Sequence, residues 1–349
     1  MLLNYKPIKH NIFGAHLLIE HLVLEVFCKA NKSSYKSKLN SELKILIDKN
    51  KWFDQSIKKI YVICRDLSSD EKNALKTAFI TNNKIKDLCA NPTLKISLDT
   101  LNEELLDEVI PFFKELYKRF LTWVDVKNKY GSKKEYYDDL IKYNNLKFCP
   151  CCGYGQIKTI YDKGHSAFDH YLPLKYYPFS VVNFNNLIPL CTVCNSDYKG
   201  ETDILNGNKK VFYPLTNDIQ DINVSIDFDK GILPKLIIKT EEKADKLKEK
   251  DITVNFDKSG EEVLSWNSIF NIKGRYFGEV GTNRVSWLND VRSAYRKPRI
   301  LTYNDAFDEI IEDDSNKYLG FLKSPYLKKM KSFSFLVQAM DEVSGDYIM

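Results

Sequence analysis

Two Cys-x-x-Cys knuckles, Cys149-Pro-Cys-Cys152 and Cys191-Thr-Val-Cys194, stand 38 residues apart in this chain. Each knuckle turns two thiolates toward one point, and four thiolates complete a closed tetrahedral zinc shell. No other feature constrains the folding as strongly, because a metal held this way ties both ends of the intervening loop together. A shell of four thiolates leaves no position for water, so the expected zinc is structural. Cys151 lies inside the first knuckle, and pairs using it are conceivable. The favoured two-residue spacer keeps Cys149 and Cys152 as ligands and leaves Cys151 a bystander.

The tied loop carries more than zinc requires. Phe168-Asp169-His170-Tyr-Leu-Pro-Leu174 sets a carboxylate beside an imidazole, and Asn195 follows the last cysteine directly. Phosphodiester hydrolysis needs a deprotonated water in line with the phosphorus and a cation to neutralise the departing oxygen. Asp169 is a hard oxygen ligand suited to Mg²⁺ or Mn²⁺, and a neutral His170 can act as general base near pH 7. Asn195 can offer its amide oxygen to the same cation. The competing reading of the cysteines alone is a zinc ribbon that binds nucleic acid or protein without catalysis. Gly164-His165-Ser166 reads as a turn before a strand, not as a further ligand.

The 349 residues suffice for two or three domains, and 44% hydrophobic with 28% charged is ordinary globular composition. The longest apolar run, Leu17 to Phe27, includes Glu20, His21 and Glu25 and is too short to span a bilayer, so a cytoplasmic protein with no membrane partner is expected. Cys28, Cys64 and Cys89 lie in apolar surroundings that suit reduced core thiols. Residues 1 to 148 hold 26 lysines and arginines against 19 acidic residues, which fits a polyanion partner. Only seven of the 52 basic residues are arginine, and Arg275, Arg284, Arg292, Arg296 and Arg299 share one short segment. Arg275, Arg292 and Arg296 are candidate phosphate contacts, with an ordinary helix surface as the alternative.

Apolar periodicity marks helices over 11 to 30, through Phe13, Leu17, Leu18, Leu22, Val26 and Phe27, and around Leu39, Leu43, Leu46 and Ile47. Ile60 to Cys64 fits either a buried strand or a helix end. Ser68-Ser-Asp-Glu71 and Thr100-Leu-Asn-Glu103 are capping-box signatures, and Pro111 restarts or kinks a long helix that buries Phe112, Phe113, Leu116, Phe120, Leu121 and Val124. His10, His16 and His21 read as core or surface residues. Val211 to Leu215, Ile222 to Phe228, Lys235 to Lys239 and Ile252 to Phe256 look like strands, with a turn at Gly231 and Pro234. Trp266 to Tyr276 reads as a helix, Arg292 and Arg296 share one face of a later one, and Asp305 to Asp314 is an acidic solvated helix.

The order Asp169-His170, then Asn186-Leu-Ile-Pro-Leu-Cys191-Thr-Val-Cys194-Asn195-Ser-Asp-Tyr-Lys199-Gly200, resembles the HNH (ββα-metal) endonucleases whose hairpin and helix are pinned by a four-cysteine zinc. The resemblance implies His170 as general base, Asp169 and Asn195 as ligands of a catalytic Mg²⁺ or Mn²⁺, Asn186 as the brace of the hairpin loop, and Lys199 as a phosphate contact. The third motif position is Asn here in place of His. Three residues separate Asn195 from Lys199 where two are frequent. Asp169 to Lys175, Tyr177-Pro-Phe179 and Asn186 to Pro189 resemble a subgroup among bacterial defence effectors, including the HNH partner of Septu-type systems, and Trp266-x-x-x-Phe270-x-x-x-x-Arg275-Tyr276 is similar to that subgroup's tail. A DNA-cleaving defence effector with an ATPase as its partner is what the resemblance implies.

The resulting expectation is an α+β protein. It has a mostly helical N-terminal region over 1–140, a zinc-pinned ββα-metal core over 141–215, and an extension of strands and helices over 216–349. The alternative class is a zinc-bearing adaptor that binds nucleic acid or a partner protein.

Overall fold

The structure, a computed structural model, describes residues 4–218, 221–237, 247–315 and 317–344. Helices predominate, and among the described residues there are two small antiparallel sheets, so the class is α+β. The chain divides into two compact units, one from Leu3–Cys151 and Gly155–Ile219, the other from Cys152–Tyr154 and Gln220–Met349. No helix among the described residues is long and apolar enough to cross a membrane.

In the first unit the apolar run forms one rod, α-helical over Phe13–His21 and π-helical over Leu22–Phe27. Leu18, Leu22, Val26 and Phe27 are buried along it, while Leu17, expected on the same face, is exposed. The ambiguous Ile60 to Cys64 stretch is helical, inside Lys51–Asp66, where Phe53, Ile57, Ile60, Tyr61 and Cys64 recur at the period of one buried face. The capping box at Ser68 is real: Ser68 Oγ accepts from Glu71 N–H at 3.2 Å and Glu71 Oε2 accepts from Ser68 N–H at 2.8 Å, starting helix Ser69–Asn82.

The signature at Thr100 is not the start of a helix. Thr100 ends a 3₁₀ turn, and Asn102 caps helix Glu103–Arg119 instead, its Oδ1 accepting from Leu105 N–H at 3.1 Å. Asn, like Ser or Thr, offers a side-chain oxygen as acceptor, and Asn102 sits two residues after the expected cap at Thr100. Pro111 lies within this helix, which runs on past it. Val124 is exposed rather than buried, because a 3₁₀ turn at Phe120–Thr122 breaks the helical phase before helix Val124–Tyr130 begins.

Rings fill the centre of this unit. Phe53 stacks on Phe112 at 5.9 Å, and Phe113 meets Phe179 edge-on at 5.3 Å, which fixes the Pro178–Ser180 turn against helix Glu103–Arg119. Extended Tyr5 bridges Leu215 and donates its hydroxyl to the Pro189 carbonyl at 3.0 Å. The expected strand Val211 to Leu215 is reduced to that bridge. Cys64 and Cys89 are buried and Cys28 half-buried, none in a disulfide, and burial pushes the Cys28 and Cys64 thiols up to about 12.

His16 lies flat against Phe79, 5.9 Å between ring centres, with its Nδ1 buried and unpartnered. Burial pushes its imidazole down to about 4. An unfolded histidine titrates near 6.5, so between those values the unfolded chain binds more protons, and stability falls as pH drops from about 6.5 to 4. The loss amounts to about 3 kcal/mol. Chemical denaturation of His16→Phe across that range is expected to lack this part of the acid destabilisation; an unchanged pH slope would contradict it.

In the second unit Val224–Asp227 pairs antiparallel with Thr253–Phe256, Val224 opposite Phe256, as the alternating patterns suggested. The expected strand from Lys235 is helical over Leu233–Ile237, where Pro234 presets the helical φ in the first turn; residues 238 and 239 lie outside the described residues. Trp266 to Tyr276 is two helices, Glu261–Phe270 and Ile272–Tyr295, split by Asn271 in the left-handed region at φ 47°. A capping box at Thr302 and Asp305 opens the acidic helix Tyr303–Asp314.

Candidate metal centre and active-site pocket

Cys149, Cys152, Cys191 and Cys194 are all buried, and their sulfurs lie within 4.8 Å of one another. Zn–S bonds of 2.3 Å in a tetrahedron set sulfurs about 3.8 Å apart, so the group could hold a structural metal such as zinc. Cys151, though buried, is outside the group, as the spacer rule anticipates.

The segment between the knuckles forms a short hairpin. β1, Phe168–His170, pairs antiparallel with β2, Leu187–Pro189, in the register Phe168 to Pro189, Asp169 to Ile188 and His170 to Leu187. Asn186 is fully buried at its base. Its Oδ1 accepts from Leu172 N–H at 2.7 Å, its Nδ2 donates to the Leu172 carbonyl and to Ser180 Oγ at 2.9 Å each, and its own carbonyl accepts from Tyr171 N–H. One amide thus satisfies the turn on both sides and holds the loop closed without reaching the pocket described next.

Asp169, His170 and Asn195 line one pocket of about 720 Å³, together with Lys114, Tyr117 and Lys175. Neighbours on a regular strand face opposite ways. Here the strand stops at His170, and both residues line the same cavity. Asn195 comes from Val193–Lys199, a π-helical segment starting between Cys191 and Cys194, so the cysteine group fixes its origin relative to the hairpin.

His170 Nε2 lies 3.1 Å from the Val181 carbonyl. A carbonyl only accepts, so this bond assigns the proton to Nε2 and leaves Nδ1 with its lone pair. Burial, with the charges of Lys199 and Lys133 assisting, pushes the imidazole down to about 4, and it is neutral at physiological pH. Tyr117 packs edge-on against the ring at 4.3 Å, and Lys133 Nζ sits 4.9 Å over the Tyr117 ring. Asp169 is 3% exposed. Burial pushes its carboxyl above the usual range against the opposing pull of Lys199.

Lys199 is not at the surface as a phosphate contact would be. Its Nζ is buried 3.0 Å from Asp169 Oδ1 and 2.8 Å from the His170 carbonyl. Lys199 ends the π-helical segment Val193–Lys199, which Gly200 N–H closes on the Asn195 carbonyl. His165, just after the bend at Gly164, lies with Nδ1 2.7 Å from the Ser166 carbonyl, packs its ring 5.1 Å from that of Phe168 and does not line the pocket.

The arginines are also mostly packing elements. Arg292 is 7% exposed and grips Asp341 through two nitrogens, with Tyr303 donating to the same carboxylate at 2.6 Å. Arg275 is buried, its guanidinium over the Tyr154 ring and its Nε donating to the Tyr154 hydroxyl at 3.1 Å. Arg296, four residues on at the C-cap of the same helix, is the exposed one of the three. Arginine's planar fork matches the buried Asp341 carboxylate that Arg292 grips. Arg292→Ala is expected to cost about 3–5 kcal/mol by stranding the Asp341 charge.

The residues that sequence reasoning missed are Tyr117, Lys133, Lys114 and Val181. Helix Glu103–Arg119 shows only an amphipathic pattern, and Val181 acts through its carbonyl, which no side-chain motif records.

No protein-family model matches the chain, and no solved structure matches it. A stretch of 92 residues, 26% of the chain, is 35% identical to Protein ea31 of Escherichia phage lambda. The match spans 28% of that protein's length.

Proposed function

We propose that the chain is a metal-dependent endonuclease of the HNH (ββα-metal) type that hydrolyses DNA phosphodiester bonds. The observation that carries this reading is the shared pocket: Asp169, His170 and Asn195, read from sequence as one chemical unit, line a single cavity. The hairpin followed by a helical segment has the order of a ββα element, braced by Asn186 at one end and by the cysteine group at the other.

Asp169 Oδ2 is buried without a hydrogen-bond partner and Asn195 lines the same pocket, so the two fit a hard cation such as Mg²⁺ or Mn²⁺. Such a cation, when bound, supplies neutralisation of charge on the departing oxygen. His170 Nδ1 takes the proton from the attacking water, while the Val181 carbonyl holds the Nε2–H tautomer and Tyr117 keeps the ring in place. Exposed Lys114, Lys118 and Lys175 on the pocket lining present positive charge to the phosphates. An anti-phage defence role, with an ATPase restraining or directing the nuclease, rests on the sequence resemblance.

The competing class is a zinc-bearing adaptor. One observation favours it: the ion pair with Lys199 already engages Asp169 Oδ1. Incubation of the purified protein with supercoiled plasmid decides between them. Nicked or linear product in Mg²⁺ or Mn²⁺, abolished by chelator, is the expected outcome; zinc-loaded protein that binds the plasmid and leaves it intact in both metals assigns the adaptor.

A further inference from the structure

We propose that Lys199 is a positioning residue for the divalent-cation site, a role that rests on the endonuclease reading above. Its side chain is 1% exposed, and its ammonium donates to two acceptors at once, Asp169 Oδ1 and the His170 carbonyl oxygen. An ammonium has three donors, so a buried one needs acceptors beyond the carboxylate, and here the second is the backbone of the neighbouring residue. Here one cation ties the carboxylate, the backbone of the general base and the segment carrying Asn195 into a single rigid unit.

The asymmetry of the carboxylate points the same way. Oδ1 is engaged by Lys199, whereas Oδ2 is buried and has no hydrogen-bond partner. Buried polar atoms are rarely left in that condition. Fixing one oxygen sets the carboxylate plane and reserves the other as a single-oxygen ligand, which is what a mostly hydrated cation takes from one or two protein groups. The π turn supplies the register. With the Gly200 N–H on the Asn195 carbonyl at 2.8 Å, Lys199 meets Asp169 while Asn195 lines the cavity. Outer partners that orient a ligand in this way typically govern 10- to 100-fold in metal affinity.

The test uses the full-length protein and Mn²⁺ alone, without DNA, read from the paramagnetic resonance signal of free Mn²⁺. Zinc content and thermal melting are followed on the same samples. Lys199→Met is expected to keep zinc and fold, and to bind Mn²⁺ about 10- to 100-fold more weakly. Lys199→Arg retains a cation with donors for both acceptors and should recover most of that affinity. Should Lys199→Met not fold, Lys199→Gln takes its place, since it keeps an N–H donor while removing the charge. Unchanged Mn²⁺ affinity in a folded neutral variant overturns the proposal. So does loss of zinc and fold in both neutral variants, which would make Lys199 a core ion pair. Asp169→Ala sets the floor of the measurement. Wild-type protein that binds Mn²⁺ through Asp169 but cuts no DNA removes the endonuclease reading and leaves the role of Lys199 standing; wild-type protein no better than Asp169→Ala removes the cation site and that role together.

Discussion

His170→Ala is expected to lower DNA cleavage by about 10²- to 10⁴-fold, the usual cost of losing one positioned base. Zinc content, melting temperature and DNA binding should stay near wild type, because the imidazole makes one hydrogen bond, to Val181, and one ring contact, with Tyr117. The loss of cleavage with those properties retained separates the two function classes. An adaptor has no use for a base beside a hard-metal ligand, so in that class the substitution changes nothing that can be measured. Asp169→Ala and Asn195→Ala should instead shift the metal concentration needed for cutting. Either one combined with His170→Ala should add little, since residues acting as a unit are not additive. A His170→Ala protein cutting at the wild-type rate would remove the assignment.

Cys194→Ser is expected to have the largest effect on the fold. Cys194 is fully buried in the four-cysteine group and lies at the start of the π-helical segment. Metal-binding free energy in sites of this kind is folding free energy, apparent values being about 10–16 kcal/mol for small zinc modules at neutral pH. Removing one thiolate forfeits part of that and releases Asn195 and Lys199 from their places against the hairpin. Melting temperature, zinc stoichiometry and any cleavage should therefore fall together, and chelation of the wild-type protein should reproduce the result. Full native stability with zinc absent by elemental analysis would show that packing alone holds the hairpin.

The parts of the site legible in the sequence are those whose chemistry is local. Cys149 with Cys152 and Cys191 with Cys194 announce themselves by spacing, Asp169 with His170 by adjacency, and the helix at Ser69 by its capping box. The parts not legible depend on where distant elements meet. Tyr117 belongs to a helix more than fifty residues before His170, and nothing in an amphipathic repeat says which half-exposed ring will meet an imidazole. The burial of Lys199 is not legible because spacing along the chain does not say which way a π-helical segment turns its last residue. The burial of Arg292 is illegible for a related reason: Asp341, its partner, is 49 residues away. The break at Asn271 was hidden because Asn enters the left-handed region without the glycine that usually marks it.

The edge-on meeting of Phe113 with Phe179, and of Tyr117 with His170, bears on how this protein can be divided in the laboratory. A fragment cut to residues 141–215 would carry every motif residue and both knuckles, yet it would leave behind one wall of the cavity and uncover the rings of Phe179 and Phe184, which are fully buried in the intact chain. Exposed aromatic surface of that kind favours aggregation over independent folding. Transplants, truncations and chimaeras built on the motif should therefore take the preceding helices with them. The smallest transferable piece is set by contact in space rather than by the length of the motif.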